Sequence, residues 1–242
     1  MLKDKNGIVF GVANIRRIAL SVVVLTCLWG LSAAAQVQDQ KQQSKDENKL
    51  SFDQDTSLYH QLVQRAKSGD QAVNFVQLRD AFGEWLCNDK VNTHAPNRDA
   101  MVQAFESKNY AKAAELIEIV LDYEFVNREL HLAAEDAYRQ VGNQAKADFH
   151  KTIAHKLLHA VLTSGDGKTP ETAYRVLDVS EEYFVMRTLG YTAGSQVLAS
   201  KSNRAYDILN GHEVDTGKTV SVYFDISSFF GGCERLRRSK QD

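Results

Sequence analysis

Apolar positions along this chain recur at helical spacing up to about Leu162 and at strand spacing from Ala173 onward. Between Ser57 and Lys67, Leu58, Leu62, Val63 and Ala66 share one helix face, and Ser68-Gly69-Asp70 ends the run. Asn74 with Gln77 three residues on makes a capping box, and Phe75, Leu78, Phe82 and Trp85 line the helix that follows. Residues 95–162 predict two helix pairs. One helix buries Tyr110, Ala113, Ala114, Ile117, Val120 and Leu121; the next buries Leu130, Ala133, Ala134, Ala137 and Val141 and ends at Gly142. The last buries Phe149, Ile153, Leu157, Ala160 and Val161. Pro96 suits the first turn of the helix that opens the first pair. After Gly165, Ala173 to Val179 alternates like a strand. Ser180 then caps a short helix carrying Glu181 and Glu182 in its first turn, Tyr183, Met186 and Leu189 inward, and Gly190 at its end. Strands follow near Ser195–Ser200, Ala205–Leu209 and Thr219–Ile226, with Asp215-Thr216-Gly217-Lys218 as a turn.

Asn109-Tyr110-Ala111-Lys112-Ala113 is echoed 34 residues later by Asn143-Gln144-Ala145-Lys146-Ala147, the period of the tetratricopeptide repeat. An ordinary helical bundle could carry such an echo by chance, but offset, helix placement and turn chemistry agree. The predicted fold class is α+β: a tetratricopeptide-like helical array followed by a small β-rich unit, strand–helix–three-strand antiparallel sheet. Two helix pairs bury too little alone, so the helices of residues 57–85 are expected to cap one end of the array and the β-rich unit the other.

Residues 1–35 read as a signal peptide. Lys3, Lys5, Arg16 and Arg17 form a basic start, Ile18 to Leu31 an apolar core too short to span a bilayer, and Ala33-Ala34-Ala35 a cleavage site. Cys27 offers a lipoprotein alternative, which bulky Thr26 before it disfavours. Residues 36–55 are polar and low in complexity, a disordered tether. The expected organisation continues with a helical domain at 56–163, a small α+β domain at 164–230 and a flexible basic tail at 231–242, carrying Arg235, Arg237, Arg238 and Lys240. The whole chain has formal charge −2; losing the leader leaves −5, which argues against nucleic acid or anionic lipid as main partners. The expected location is periplasmic or secreted, without stable membrane insertion after cleavage. Export permits a disulfide between Cys87 and Cys233, but sequence gives no distance between them, and two unrelated buried thiols are the reading adopted.

The phrase from Ser164 to Tyr174, SGDGKTPETAY, contains Gly-Lys-Thr. A phosphate loop needs a glycine five residues before Gly167, where Leu162 stands, and must follow a strand rather than a helix. The second Gly-Lys-Thr, Gly217 to Thr219, has His212 at that place. A calcium loop finds only Asp166 and Glu171. The phrase is therefore read as a helix stop and hinge, with Gly165 and Gly167 in left-handed conformations and Pro170 starting the strand. Together with Asn74 to Phe82 (NFVQLRDAF) and Glu181-Glu182-Tyr183, it resembles a family of exported bacterial proteins known only as a domain of unknown function, over roughly residues 57–226. The resemblance implies a bacterial, extracytoplasmic setting and supplies no activity or site residue.

The remaining chemistry is sparse. His155 and His159 can share a helix face, but Asp148 lies about 10 Å away along the axis and catalytic zinc needs a third ligand. His131, His150 or Glu135 would be the first candidates for one. His131 and His212 lack the second histidine of a His-Glu-x-x-His motif. Ser195 after Gly194 makes no nucleophile elbow. Cys233 could meet His212, and Glu181 and Glu182, adjacent on a helix, point apart and serve its terminus. No residue is assigned as catalytic, cofactor-binding or metal-ligating, and no cofactor is expected. The reading is a protein- or peptide-binding module that uses a helical-repeat groove; the alternative is an extracytoplasmic hydrolase or envelope-modifying enzyme sited in the C-terminal β-rich half.

Overall fold

The computed structural model describes residues 50–91 and 93–234; the leader read in residues 1–35, most of the tether and the basic residues from Arg235 onward lie outside them. Helices α1 (Leu58–Lys67) and α2 (Phe75–Trp85) begin where capping chemistry places them. The Ser57 side chain accepts from His60 N–H, and Asn74 accepts from Val76 and Gln77 N–H, satisfying amides that no helical carbonyl can reach. The buried face of α1 differs from the expected one. Leu58 stays 49% exposed, and Tyr59 is fully buried in its stead. Its hydroxyl donates to Tyr123 O at 3.1 Å and accepts from Phe125 N–H at 2.9 Å, so the ring can be interred without an orphan oxygen.

The end of the predicted tether is also drawn in. Phe52–Gln54 forms a 3-10 turn, and Phe52 rests against His60 and Tyr123 with ring centroids 4.4 and 5.4 Å apart. Buried Asp55 accepts from the Trp85 indole at 2.7 Å and from the Ser57 amide and hydroxyl. One ring and one fully bonded carboxylate hold residues 52–55 against α1 and α2.

Helices α3 (Arg98–Glu106), α4 (Tyr110–Tyr123), α5 (Arg128–Gln140) and α6 (Gln144–Leu162) form two consecutive helix pairs. The 34-residue echo has a geometric counterpart. Asn109 caps α4 through Lys112 N–H and Asn143 caps α6 through Lys146 N–H; Asn109 N–H reaches Ala104 O and Asn143 N–H reaches Tyr138 O, both at 2.8 Å. The residue before each asparagine is left-handed, Lys108 at φ 58° and Gly142 at φ 77°. Only glycine adopts that conformation without steric cost. Lys108→Gly is therefore expected to stabilise the protein and Gly142→Lys to destabilise it, each by about 1 kcal/mol, read as opposite shifts of the urea midpoint. Two expectations fail at the helix ends. Pro96 stays outside α3, because Asn97 takes a left-handed turn (φ 64°) before the first helical residue. Val141 is 44% exposed at the C-cap of α5; His131 and Tyr138 supply the burial on that helix.

β1 (Tyr174–Arg175), α7 (Val179–Thr188), β2 (Tyr191–Lys201), β3 (Arg204–Glu213) and β4 (Thr219–Asp225) complete the α+β fold. The sheet order is β1-β4-β3-β2; β2, β3 and β4 are antiparallel, while β1 joins parallel to β4, making the sheet mixed. β1 is shorter than the alternation suggests because Leu177 N–H leaves the ladder for the Glu181 carboxylate at 2.8 Å. Asp178, not Ser180, caps α7, accepting from Glu181 N–H and from the Ser180 hydroxyl. The α1–α2 pair and the sheet do not sit at opposite ends of the array: both pack on α6. Ile153, Leu157 and Ala160 join the α1–α2 core, whereas Val161 joins Val176, Val185, Leu209, Val222 and Phe224. A helix of 19 residues, about 28 Å long, reaches both.

The Ser164–Tyr174 phrase is stitched to this sheet. Asp166 and Gly167 N–H both bond to Thr172 O, and Tyr223 N–H bonds to Gly167 O at 2.8 Å. Gly167 is left-handed at φ 66°. Gly165 is needed for a different reason than expected: a Cβ there would lie 2.3 Å from Thr172 O. Lys168 pairs with Asp166 at 3.2 Å, with 78% of its side chain exposed.

Candidate functional site

Helical spacing puts Gln77, Asp80 and Glu84 on the outer face of α2, and all three are exposed. Asp80 and Glu84 line two clefts at once, so they form the ridge between them. The first cleft, about 520 Å³, lies between α2 and one end of the sheet, where Gly83, Arg79, Arg175, Val176, Arg204, Asp225 and Ser228 wall it. The second, about 760 Å³, is walled by Ser57, Leu58, Asn88, Asp89, Lys90, Cys87 and Cys233.

The ridge is bolted in place by charge. Arg79 is 5% exposed and grips Glu181 through both terminal nitrogens, at 2.6 and 2.7 Å, with a further bond to Arg175 O at 3.2 Å. This is the bidentate geometry that makes arginine–carboxylate pairs strong. Arg175 holds both Asp80 oxygens at 3.1 Å, and Arg204 pairs with Asp225. Each guanidinium of the first cleft thus has its carboxylate. Glu84 has no side-chain hydrogen bond or ion pair among the described residues. The phrases that carry the family resemblance meet here: Arg79 and Asp80 come from the first, Glu181 from the last, and Arg175 follows the middle one, its N–H bonded to the Ser164 hydroxyl. No spacing rule links residues 102 apart, so sequence gave no sign of the bolt.

Cys87 and Cys233 are not separate thiols. They form a disulfide with Cα atoms 5.0 Å apart, closing a separation of 146 residues. The chain after β4 turns back along α2, with the Ser228 hydroxyl donating to Val176 O at 2.8 Å. Residues 231–234, expected to open a flexible tail, are thus tied to α2, and Cys233 is removed from any pairing with His212.

Two buried polar clusters lie away from the clefts. Glu182 on α7 is fully buried, no donor reaches either carboxyl oxygen, and Asp207 of β3, itself an acceptor, faces it. Burial first, and then Asp207, pushes Glu182 up to about 8. The pair is satisfied when Glu182 keeps its proton and donates it to Asp207, whose Oδ2 also accepts from Gln196 at 2.6 Å. Glu182 does not simply serve its helix terminus, as its position in the first turn suggested.

The second cluster joins α4, α5 and α6. His131 Nε2 lies 2.8 Å from Phe125 O and must donate; its bare Nδ1 then accepts from His150 Nδ1 at 3.0 Å. His150 Nε2 stands 3.4 Å from Glu118, which accepts from Tyr138 at 2.7 Å and Lys146 at 2.5 Å. Burial works against the Glu118 charge, yet the neighbouring His150, Lys146 and Tyr138 outweigh it and hold the carboxyl well below its usual range. Burial, with His150 beside it, lowers His131 to about 3. The helical period could have flagged His131 and His150 as inward positions. His155 and His159 are exposed on α6, and no group of three or more His, Cys, Asp or Glu gathers to hold a metal among the described residues.

No curated protein and no solved structure matches the chain. A family profile does, over residues 45–234, which takes in the ridge, both clefts and the disulfide. The chain belongs to the family described as a domain of unknown function, DUF4919.

Proposed function

We propose that the protein is an extracytoplasmic binding module that seats a peptide or protein partner on the α2 ridge and its two clefts. The observation that carries this reading is the ridge: one helix face, locked by Arg79–Glu181 and Arg175–Asp80, with an open cleft on either side. Convergent polar groups on rigid elements are what a recognition site needs. The disulfide and the leader read in residues 1–35 support a setting outside the cytoplasm. Neither of these two clefts takes a residue from 98–162, which favours α2 over the helical-repeat groove as the seat. A hydrolase in the β-rich half has less support. The Glu182–Asp207 pair lines neither cleft, and a general acid must reach its substrate.

Gly83 tests the proposal. It lines the first cleft from mid-helix, and a Cβ there would stand 3.8 Å from Ser228 Cβ, an ordinary contact. Gly83→Ala should stabilise the protein by about 0.5–1 kcal/mol through helix propensity. Gly83→Leu should fill the cleft. A partner captured from envelope extract by the natural protein and by Gly83→Ala should be lost from Gly83→Leu; equal capture by all three would remove α2 as the seat.

A further inference from the structure

β2 is an outer strand with an open side. In the order β1-β4-β3-β2 it pairs with β3, and among the described residues no strand meets its other edge. Ladder geometry turns the N–H and C=O of alternate residues toward that edge. None of the eleven residues Tyr191–Lys201 is buried. Leu198, opposite Asp207, is 56% exposed on the face that carries α7; Val197, opposite Ile208, is 49% exposed on the face away from it. Natural proteins blunt such edges with charge, proline or a bulge. Here Tyr191 to Ser200 holds no charge and no proline. A bulge between Ala193 and Gln196 bends one end, and Lys201 at the other is answered within the chain by Glu171. Gln196 to Ser200 is left regular and neutral, with an apolar side chain on each face.

We infer that the protein forms a twofold dimer in which β2 of one copy pairs antiparallel with β2 of a second. The edge calls for an extended, uncharged strand, and every copy carries one. Because Lys201 is already paired with Glu171, two copies meet without stranding a charge between them. A twofold axis normal to the sheet keeps like faces together. Centred on Leu198, it sets Leu198 of each copy side by side and Val197 beside Ala199, and it joins two four-stranded sheets into one. The opposite edge cannot extend this into a fibre. β1 is two residues long, and the N–H and C=O of Arg175 are taken by the Ser164 hydroxyl and the Arg79 guanidinium. Association therefore closes at two. The inference does not rest on the α2 seat; where that seat holds, the dimer presents two of them.

The test is sedimentation velocity of the natural protein, purified from its host, over a concentration series. A dimer should form in the micromolar range, the strength expected of so small a contact. Leu198→Lys places like charges directly opposite each other across the axis and should weaken association at least about tenfold. Leu198 is more than half exposed, so this variant should keep the urea midpoint of the natural protein. Val141→Lys, which puts the same charge on an exposed residue at the end of α5, should dimerise as the natural protein does. A second reading is covalent: Leu198→Cys should lock into a disulfide-linked dimer under mild oxidation, and Val141→Cys should not. Monomers at every concentration would leave the edge to a strand from another protein and overturn the inference. A dimer indifferent to Leu198→Lys, a dimer that Leu198→Cys does not lock, or assembly beyond two would overturn it as well.

Discussion

Glu182→Gln is expected to make the protein more stable at pH 7, by on the order of 3 kcal/mol. The folded chain keeps the Glu182 proton up to about pH 8, because burial and Asp207 oppose the charge. The unfolded chain releases it near its ordinary value of 4.5. Between those two values the native state binds the extra proton, so stability from this group is full below about 4.5 and is lost as pH rises to about 8. Glutamine holds a permanent N–H donor toward Asp207 and has no proton to lose. Urea midpoints of natural and variant protein should agree near pH 4 and separate steadily toward pH 8. His131 acts in the opposite sense on the acid side: its folded value near 3 means stability falls as pH drops below about 6.5. Both proteins share that loss, so their difference isolates Glu182. A variant less stable than the natural protein at pH 7, or a pH-independent difference, would refute the shared-proton account.

The second large effect is expected from the disulfide. Closing a separation of 146 residues removes so many unfolded conformations that the chain-entropy argument gives about 5 kcal/mol, and removing native disulfides from small domains typically costs 2–5. Cys87→Ser with Cys233→Ser should therefore melt well below the natural protein, and dithiothreitol should bring the natural protein down to the same midpoint. The loss should be felt first at the second cleft, which both cysteines line. Equal melting with and without reductant would mean the pair is not bonded in solution.

What could be read ahead was local chemistry. Asn74, Asn109 and Asn143 announce helix starts because their side chains can bond only to amides a short fixed distance ahead, and the 34-residue echo opens two helices alike, which the left-handed turns at Lys108 and Gly142 match. Periodicity also found most of the α4 and α6 core. It misplaced Leu58 and Tyr59, because a hydrophobic scale rates tyrosine for its hydroxyl and cannot see the two backbone groups of Tyr123 and Phe125 that satisfy it. The candidate site was illegible for a different reason. Arg79, Glu181, Cys87 and Cys233 meet through topology, with α2 set against both the sheet and the returning C-terminal chain, and no local pattern encodes that approach. Glu182 misled because a first-turn glutamate usually faces water and the helix dipole, whereas the α7–β3 packing turns this one onto Asp207.

Hydrogen–deuterium exchange on the protein with and without its captured partner tests the proposed α2 seat most directly. Slowed exchange should concentrate in the second half of α2 through Lys90 and in Ser227–Glu234, the backbone that borders the two clefts. Slowing confined to α3–α6, or to the exposed outer strand β2, with α2 unchanged, would contradict it.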